Sequence, residues 1–415
     1  MILLHLALLL SATFGVFAAT SWIVPGAIWT DTSGDKIDAH GGGIVKQGDT
    51  FYWIGQSASN SETPYLYSST DMLNWKNLGK QSSIQYLWRP KIAKPDGSFW
   101  IYGQVNRNIQ ALVSTQMVGG YTTHGAAVTV PPKNYTYSDT GMFQDTDGSW
   151  YILTSADHNT VQINKINSDG SIGAKASQLS TESDIDSTAA CKLTNFPAGG
   201  AYEAPGILKV DDVYFLIVSG KTGWRSNTNK MFYSASITGS WTGPFDIAPE
   251  AEKTYDSQNT FEFTIRGSKQ TTYMYMGDSW DSKGGPSSNY IWLPMVVNTS
   301  AKTVSLDYHA MWKVDVNTGV ISYPTTKKRY EAEDAILTGR AAVSSCNDCI
   351  SKRAVHIRKG IQPSSLTVNL GKKLTTHQIV ESSSQVTFKN VTGTGSPQWI
   401  SIHYTVNNPE GLSYP

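Results

Sequence analysis

The side chains best suited to proton chemistry stand just ahead of strands. In "AYEAPGILKV", Glu203 lies between Tyr202 and Ala204-Pro205-Gly206, before an apolar run. Apolar company disfavours a carboxylate by desolvation, so the carboxyl can keep a proton near neutral pH, as a general acid must. The plainer reading is a solvated loop glutamate. In "YSDTGMFQDTDGSW", Asp139 lies one strand upstream of the Asp147-Gly148 turn. It is either another turn aspartate or the charge that orients and tunes the acid; Asp145 and Asp147 read as turn residues. A third stretch, "AHGGGIVKQGDTFYWIG", runs into a hairpin through His40 and three consecutive glycines, starting at Gly41. Glycine weakens a strand, so something beside it needs room.

Such residues act together only if the elements carrying them converge. Five stretches each pair a polar turn with an aromatic, β-branched strand: around Phe51, Phe99, Trp150, Tyr214 and Tyr273, recurring every 48 to 64 residues. A further strand follows each one. No stretch shows helical periodicity. The expected fold is all-β, a five-bladed β-propeller; a long double-sheet sandwich is the alternative. A propeller gathers the first residues of every innermost strand at its axis, where His40, Asp139 and Glu203 would meet.

The chain has 415 residues, with 33 basic and 33 acidic side chains. This balance argues against an electrostatic nucleic-acid binder. Sparse charge with many Gly, Tyr and Trp suits a surface for neutral, polar, ring-shaped ligands. Residues 1–19 read as a secretory signal peptide, with a buried first strand as the alternative. No later apolar run is long enough to span a bilayer, so a secreted, extracellular protein without membrane contact is expected. Sequons at Asn134, Asn298 and Asn390 agree with that route. Cys346 and Cys349 form "CNDC", which in a secreted β-rich chain favours a local disulfide over redox chemistry; Cys191 reads as a buried thiol. Composition shifts at about Pro324–Arg329. The propeller is expected over 20–324, and a partial β-sandwich module over 330–415.

The order of the Gly-rich opening, "WRPKI", an Asp before F-x-D-x-D-G, and "EAPG" resembles glycoside hydrolase family 43 over about Trp29 to Val314. The resemblance implies a five-bladed propeller that inverts the anomeric centre with an Asp base, an Asp that modulates pKa, and a Glu acid. Asp139 and Glu203 match the last two. The base position falls on Gly41, and Asp38, three residues earlier, is a poor substitute. One branch, the exo-β-1,3-galactanases, is similar here. It shares "AHG-x-GI" and assigns the base role to a Gln that matches Gln258 in "TYDSQNTFEF". An ordinary amide is a very poor base. It could act as its imidic-acid tautomer or by orienting water. An inverting pair implies about 6.5–9.5 Å between Glu203 and Gln258.

The same resemblance implies sugar contacts from His40, Gly41, Gln56, Trp88, Arg89, Trp224, Asn259, Asp278 and Trp280. Three features depart from the galactanases: Trp88 and Gln56 replace glutamates, and a Tyr-containing insertion after Gln104 is missing. Trp88 either stacks on a pyranose face or is a core aromatic. Weak galactan activity and a broader sugar preference are expected. The tail, "YEAED" followed by Cys-x-x-Cys, looks like a truncated carbohydrate-binding module of family 35, in which Glu331 and Glu333 match carboxylates of a structural calcium site. Catalysis needs no cofactor on this reading. The function implied is a secreted, monomeric, inverting hydrolase of β-1,3-galactan or arabinogalactan side chains. A family 43 arabinofuranosidase or β-xylosidase, or a non-catalytic carbohydrate-binding propeller, is the alternative.

Overall fold

The computed structural model describes residues 20, 22–128, 137–156, 160–180, 190–192, 202–281, 283–324, 331–338, 341–345, 353–357, 367–369 and 385–388. Residues 1–19, the sequons at Asn134 and Asn390, and Cys346 and Cys349 lie outside them. Five sheets, antiparallel but for one edge strand, follow in chain order. The first contains β1 (His40–Gln47), β2 (Thr50–Ser57), β3 (Thr63–Ser69) and β4 (Lys76–Lys80). The second contains β5 (Trp88–Ala93), β6 (Phe99–Val105), β7 (Asn108–Ser114) and β8 (Thr122–Thr123). The third contains β9 (Tyr137–Gln144), β10 (Trp150–Ala156), β11 (Thr160–Ile166), β12 (Ile172–Ser180) and a parallel edge strand, β13 (Ala190–Lys192). The fourth contains β14 (Tyr202–Val210), β15 (Val213–Gly220), β16 (Lys230–Ser234) and β17 (Thr242–Asp246). The fifth contains β18 (Gln258–Arg266), β19 (Thr271–Ser279), β20 (Asn289–Asn298) and β21 (Thr303–Leu306). This is the expected five-bladed propeller. The five aromatics that marked the repeat all lie on the second strand of a blade, because each follows the turn of the first hairpin.

Alternating apolar residues on both faces of each blade fill the gaps between neighbours. Ile54, Ile92 and Ile101 join blades one and two. Tyr102, Met142 and Ile152 join two and three. Leu153, Ile207 and Leu216 join three and four, and Ile217, Tyr275 and Leu293 join four and five. The ring closes through Trp53, Tyr67, Met274 and Trp292, joined by Ile23 and Trp312 from outside the blades. Ile23 and Trp312 exchange backbone hydrogen bonds of 2.7 and 3.0 Å across this seam. Trp53 and Trp292 meet edge-to-face with centroids 4.6 Å apart. Truncating either buried indole would cost about 3–5 kcal/mol.

The innermost strands share a local device. Pairing with the second strand slips between His40 and Gly43, Trp88 and Lys91, Glu203 and Gly206, and Asn259 and Phe261. In blade three the slip falls opposite Thr154 and Ser155. In four blades the slip carries a left-handed residue: Gly41 (φ 61), Arg89 (φ 49), Asp139 (φ 66) and Ala204 (φ 52). A bulge re-aims the side chains beside it. Non-glycine residues held at such φ values cost about 1–3 kcal/mol each and cluster at functional sites.

A second compact unit begins at Pro324. Its described strands are short: β22 (Ile336–Thr338), β23 (Ala341–Ser345), β24 (Arg353–Ile357), β25 (Thr367–Asn369) and β26 (Gln385–Thr387). They form a three-stranded sheet, β22-β26-β25, and a β23-β24 hairpin. Among the described residues, no helix is long and apolar enough to cross a membrane.

Candidate active site

Arg89 is the hub of the axial cluster. It is 4% exposed. Its Nε meets Asp139 Oδ1 at 2.6 Å, Nη1 donates to the Asn259 carbonyl at 3.0 Å, and Nη2 donates to Gln258 Oε1. Its own N–H donates to Gln56 Oε1 at 2.7 Å. The bulge in β5 turns this guanidinium inward, so one side chain links blades two, three and five. Asp139 is held in turn from two more sides. Its N–H donates to Gln104 Oε1, and its Oδ2 accepts the Ala204 N–H at 2.9 Å.

That last bond places Asp139 beside Glu203. The Glu203 carboxyl is pushed up to about 8, first by burial and then by the Asp139 charge; Arg89 and the hydrogen bond from Gln258 oppose the rise. It therefore carries its proton at neutral pH, as the apolar surroundings in the sequence suggested. Gln258 Nε2 donates to Glu203 Oε1 at 2.8 Å and to Ser219 Oγ at 3.1 Å. Gln258 Oε1 accepts from Arg89 and from Trp280 Nε1, the latter at 2.8 Å. Both acceptor positions and both donors of the amide are thus filled. The direct bond replaces the 6.5–9.5 Å separation expected of an inverting pair. It also counts against the imidic-acid form of Gln258, whose O–H would face two groups that can only donate.

The glycines of β1 now have a cause. A Cβ on Gly42 would lie 1.7 Å from Ile54 O. One on Gly41 would lie 2.8 Å from Arg89 Cγ and 3.0 Å from Gln56 Oε1, on a left-handed backbone. The expected base position is therefore filled by Arg89 of the neighbouring blade and by Gln56 of its own. The Gly41 N–H donates to Asp278 Oδ2 at 2.7 Å, and its carbonyl accepts from Lys91 Nζ at 2.5 Å. Asp278 also accepts from Thr260 Oγ1 and pairs with His40 Nδ1 at 3.1 Å. Burial pushes Asp278 up, but His40, Arg89 and the Gly41 N–H outweigh it and hold the carboxyl below its ordinary value. Asp38 accepts from Ser57 Oγ, Ala58 N and Ser59 N, which turns it towards that loop.

Besides Gly41, Arg89 and Asp278, the predicted sugar contacts divide into two groups. Trp88, Trp224 and Trp280 form an aromatic wall, with centroids 5.8 Å apart for the first pair and 4.9 Å for the second. Trp88 is half-buried, which suits stacking better than a core role. His40, Gln56 and Asn259 are fully buried. His40 stacks on Tyr290 at 4.7 Å, Gln56 Nε2 donates to Glu62 Oε2 at 2.9 Å, and Asn259 Nδ2 donates to the Ala204 carbonyl. These three brace the floor. Glu331 precedes, and Glu333 lies within, the short helical turn Ala332–Asp334 of the second unit. Among the described residues, no group of three or more His, Cys, Asp or Glu is arranged to hold a metal ion.

Sequence reasoning missed three ionisable groups. Lys221 Nζ lies 3.7 Å from Glu203 Oε2. Lys91 and Glu262 are buried on the axis; burial pulls Lys91 down to about 7 and pushes Glu262 up to about 8. Lys91 stands inside the quoted "WRPKI", and a lysine between apolar strand residues was the available signal. Lys221, just past a strand, and Glu262, within one, gave none.

The profile of glycosyl hydrolases family 43 matches residues 37–311. Among solved structures, an exo-β-1,3-galactanase from Phanerochaete chrysosporium, crystallised with galactose, is 29% identical with a TM-score of 0.66, covering 81% of this chain and 78% of that one. One from Clostridium thermocellum is 28% identical with a TM-score of 0.63, covering 76% and 72%. A curated relative, the xylan 1,3-β-xylosidase of a Vibrio species, is 26% identical over 231 residues. That match takes in 50% of this chain and spans only 40% of the relative's length.

Proposed function

The chain belongs to glycosyl hydrolases family 43, and from that premise we propose that it hydrolyses β-1,3-linked galactosyl residues, in galactan or arabinogalactan side chains, with inversion at the anomeric carbon. The observation that carries this reading is the Glu203 carboxyl, kept protonated by burial and by Asp139 and joined through Gln258 to Trp280 of the aromatic wall. Gln258 occupies Oε1, so the proton is delivered from Oε2. A sugar seated on Trp88 and Trp224 brings its glycosidic oxygen to that atom. Proton transfer breaks the bond to the anomeric carbon and leaves Glu203 as a carboxylate. Gln258 holds the acid rather than acting as a base. Water attacks the opposite face of the anomeric carbon as the glycosidic bond breaks and releases its proton to bulk solvent, from which Glu203 is reprotonated.

The test is digestion of β-1,3-galactan followed by proton NMR. Release of α-galactose first is the expected result. Release of β-galactose, or release of xylose from β-1,3-xylooligosaccharides with no galactose from galactan, would overturn the assignment. One observation favours a second reading, a propeller that binds carbohydrate without cleaving it: Gly41 has no space for the carboxylate that the family's mechanism uses there. Binding without product in the same assay would select it.

A further inference from the structure

The two oxygens of Glu203 have different surroundings. Oε1 accepts from Gln258. Among the described residues, Oε2 faces the ammonium of Lys221 at 3.7 Å. That distance is too long for a hydrogen bond, so the contact acts through charge and leaves the oxygen open to a substrate. The loop that carries Lys221 is closed at its base. Lys221 follows β15, and its loop is pinned at both ends: the Gly220 N–H donates to Asn227 Oδ1 at 2.8 Å, and Asn227 Nδ2 donates back to the Gly220 carbonyl at 2.7 Å. Thr222 Oγ1 donates to the Arg225 carbonyl at 2.6 Å inside the loop. The same loop carries Trp224 into the aromatic wall.

We propose that Lys221 is a positioning residue for the acid: its ammonium faces the one Glu203 oxygen available to the glycosidic oxygen and stabilises the carboxylate as it forms there. This rests on Glu203 being the acid. The charges around Glu203 then have opposed tasks. Asp139, from β9, favours the protonated carboxyl before reaction. Arg89, from β5, and Lys221, after β15, favour the carboxylate that proton transfer leaves behind; Gln258, from β18, is neutral. A group that gains interaction energy only as charge develops lowers the barrier. Burial pulls Lys221 down to about 8, with Asp139 supporting its charge and Arg107 opposing it. At pH 7 it is still mainly cationic.

The test compares kcat/KM against pH for wild type, Lys221→Met, Lys221→Arg and Glu203→Gln. The alkaline limb reports the acid in the free enzyme. In Lys221→Met it should move up by roughly half a pH unit, since a partly exposed pair contributes less than about one unit, and kcat should fall. Lys221→Arg should restore both. An unmoved or lowered limb in Lys221→Met, or an Arg variant that behaves like the Met variant, overturns the proposal. A limb that persists in Glu203→Gln instead removes the assignment of the acid. Carbon-13 NMR titration of the Glu203 carboxyl gives a readout without turnover. Its midpoint should rise in Lys221→Met, and an unchanged midpoint overturns the proposal even if the protein is only a binder.

Discussion

Gln258 donates to Glu203 across 2.8 Å while its oxygen is held by Arg89 and Trp280. A residue expected on the far side of the sugar from the acid is instead the acid's immediate partner. Four hydrogen bonds fix the amide, and each joins it to a different residue. The amide is therefore fully engaged within the cluster around Glu203.

Replacing Glu203 by Gln keeps the shape and removes that proton. Turnover should fall by on the order of 10²-fold or more, while oligosaccharide affinity measured by calorimetry stays within a few-fold. Wild-type turnover in this variant would rule Glu203 out as the acid.

Gln258→Ala should lower kcat by roughly tenfold, the scale of one lost hydrogen bond to a charged or reacting group, with little change in KM. Azide should give no rescue, because an external nucleophile replaces a missing base and not a missing support. Formation of a glycosyl azide by this variant would return Gln258 to the water side of the reaction.

Gly41→Asp should not create an active base. The new side chain would press on Arg89 and Gln56 from a left-handed backbone, at about 1–3 kcal/mol for the backbone alone. Thermal unfolding should show a lower midpoint together with lower activity. A stable variant with raised activity would contradict the packing described.

Trp88→Ala should weaken oligosaccharide binding by roughly 2–10-fold, the range of one aromatic contact, with folding intact. Restoring a galactanase-like charge through Gln56→Glu should instead harm the fold. The new carboxylate would sit where the Gln56 amide now donates to Glu62, a buried carboxyl already raised to about 7. Melting curves should show the loss growing above pH 7.

Glu262 gives the fold a pH dependence of its own. Folded, it keeps its proton to about 8; its ordinary value is 4.5. The folded state binds the extra proton between those limits, so stability should fall as pH rises from about 4.5 to about 8. Glu262→Gln should flatten this decline in melting temperature. An unchanged slope would mean that the carboxyl ionises freely in place.

The number and kind of blades were readable in the chain because each hairpin is local: a polar turn and an aromatic strand recur in sequence as they do in space. The desolvated setting of Glu203 was legible for the same reason, since its neighbours along the chain already signalled it; Asp139 was left open between a turn residue and a partner of Glu203. The turn role of Asp147, which accepts the Ser149 N–H at 2.8 Å, was also local. Asp145 fits its turn too, but it additionally accepts from Lys209 and Tyr214 of the next blade, at 2.6 Å each. What only the tertiary structure decided was which side chains face one another at the axis. Arg89 meets Gln258 across 169 positions and Gln56 across 33, and Gln258 meets Glu203 across 55. Whether an amide faces water or a carboxyl, and whether Gly41 has room for a side chain, depends on how five separately formed strands end at one point. Their bulges and left-handed residues set that approach, and no spacing along the chain encodes it.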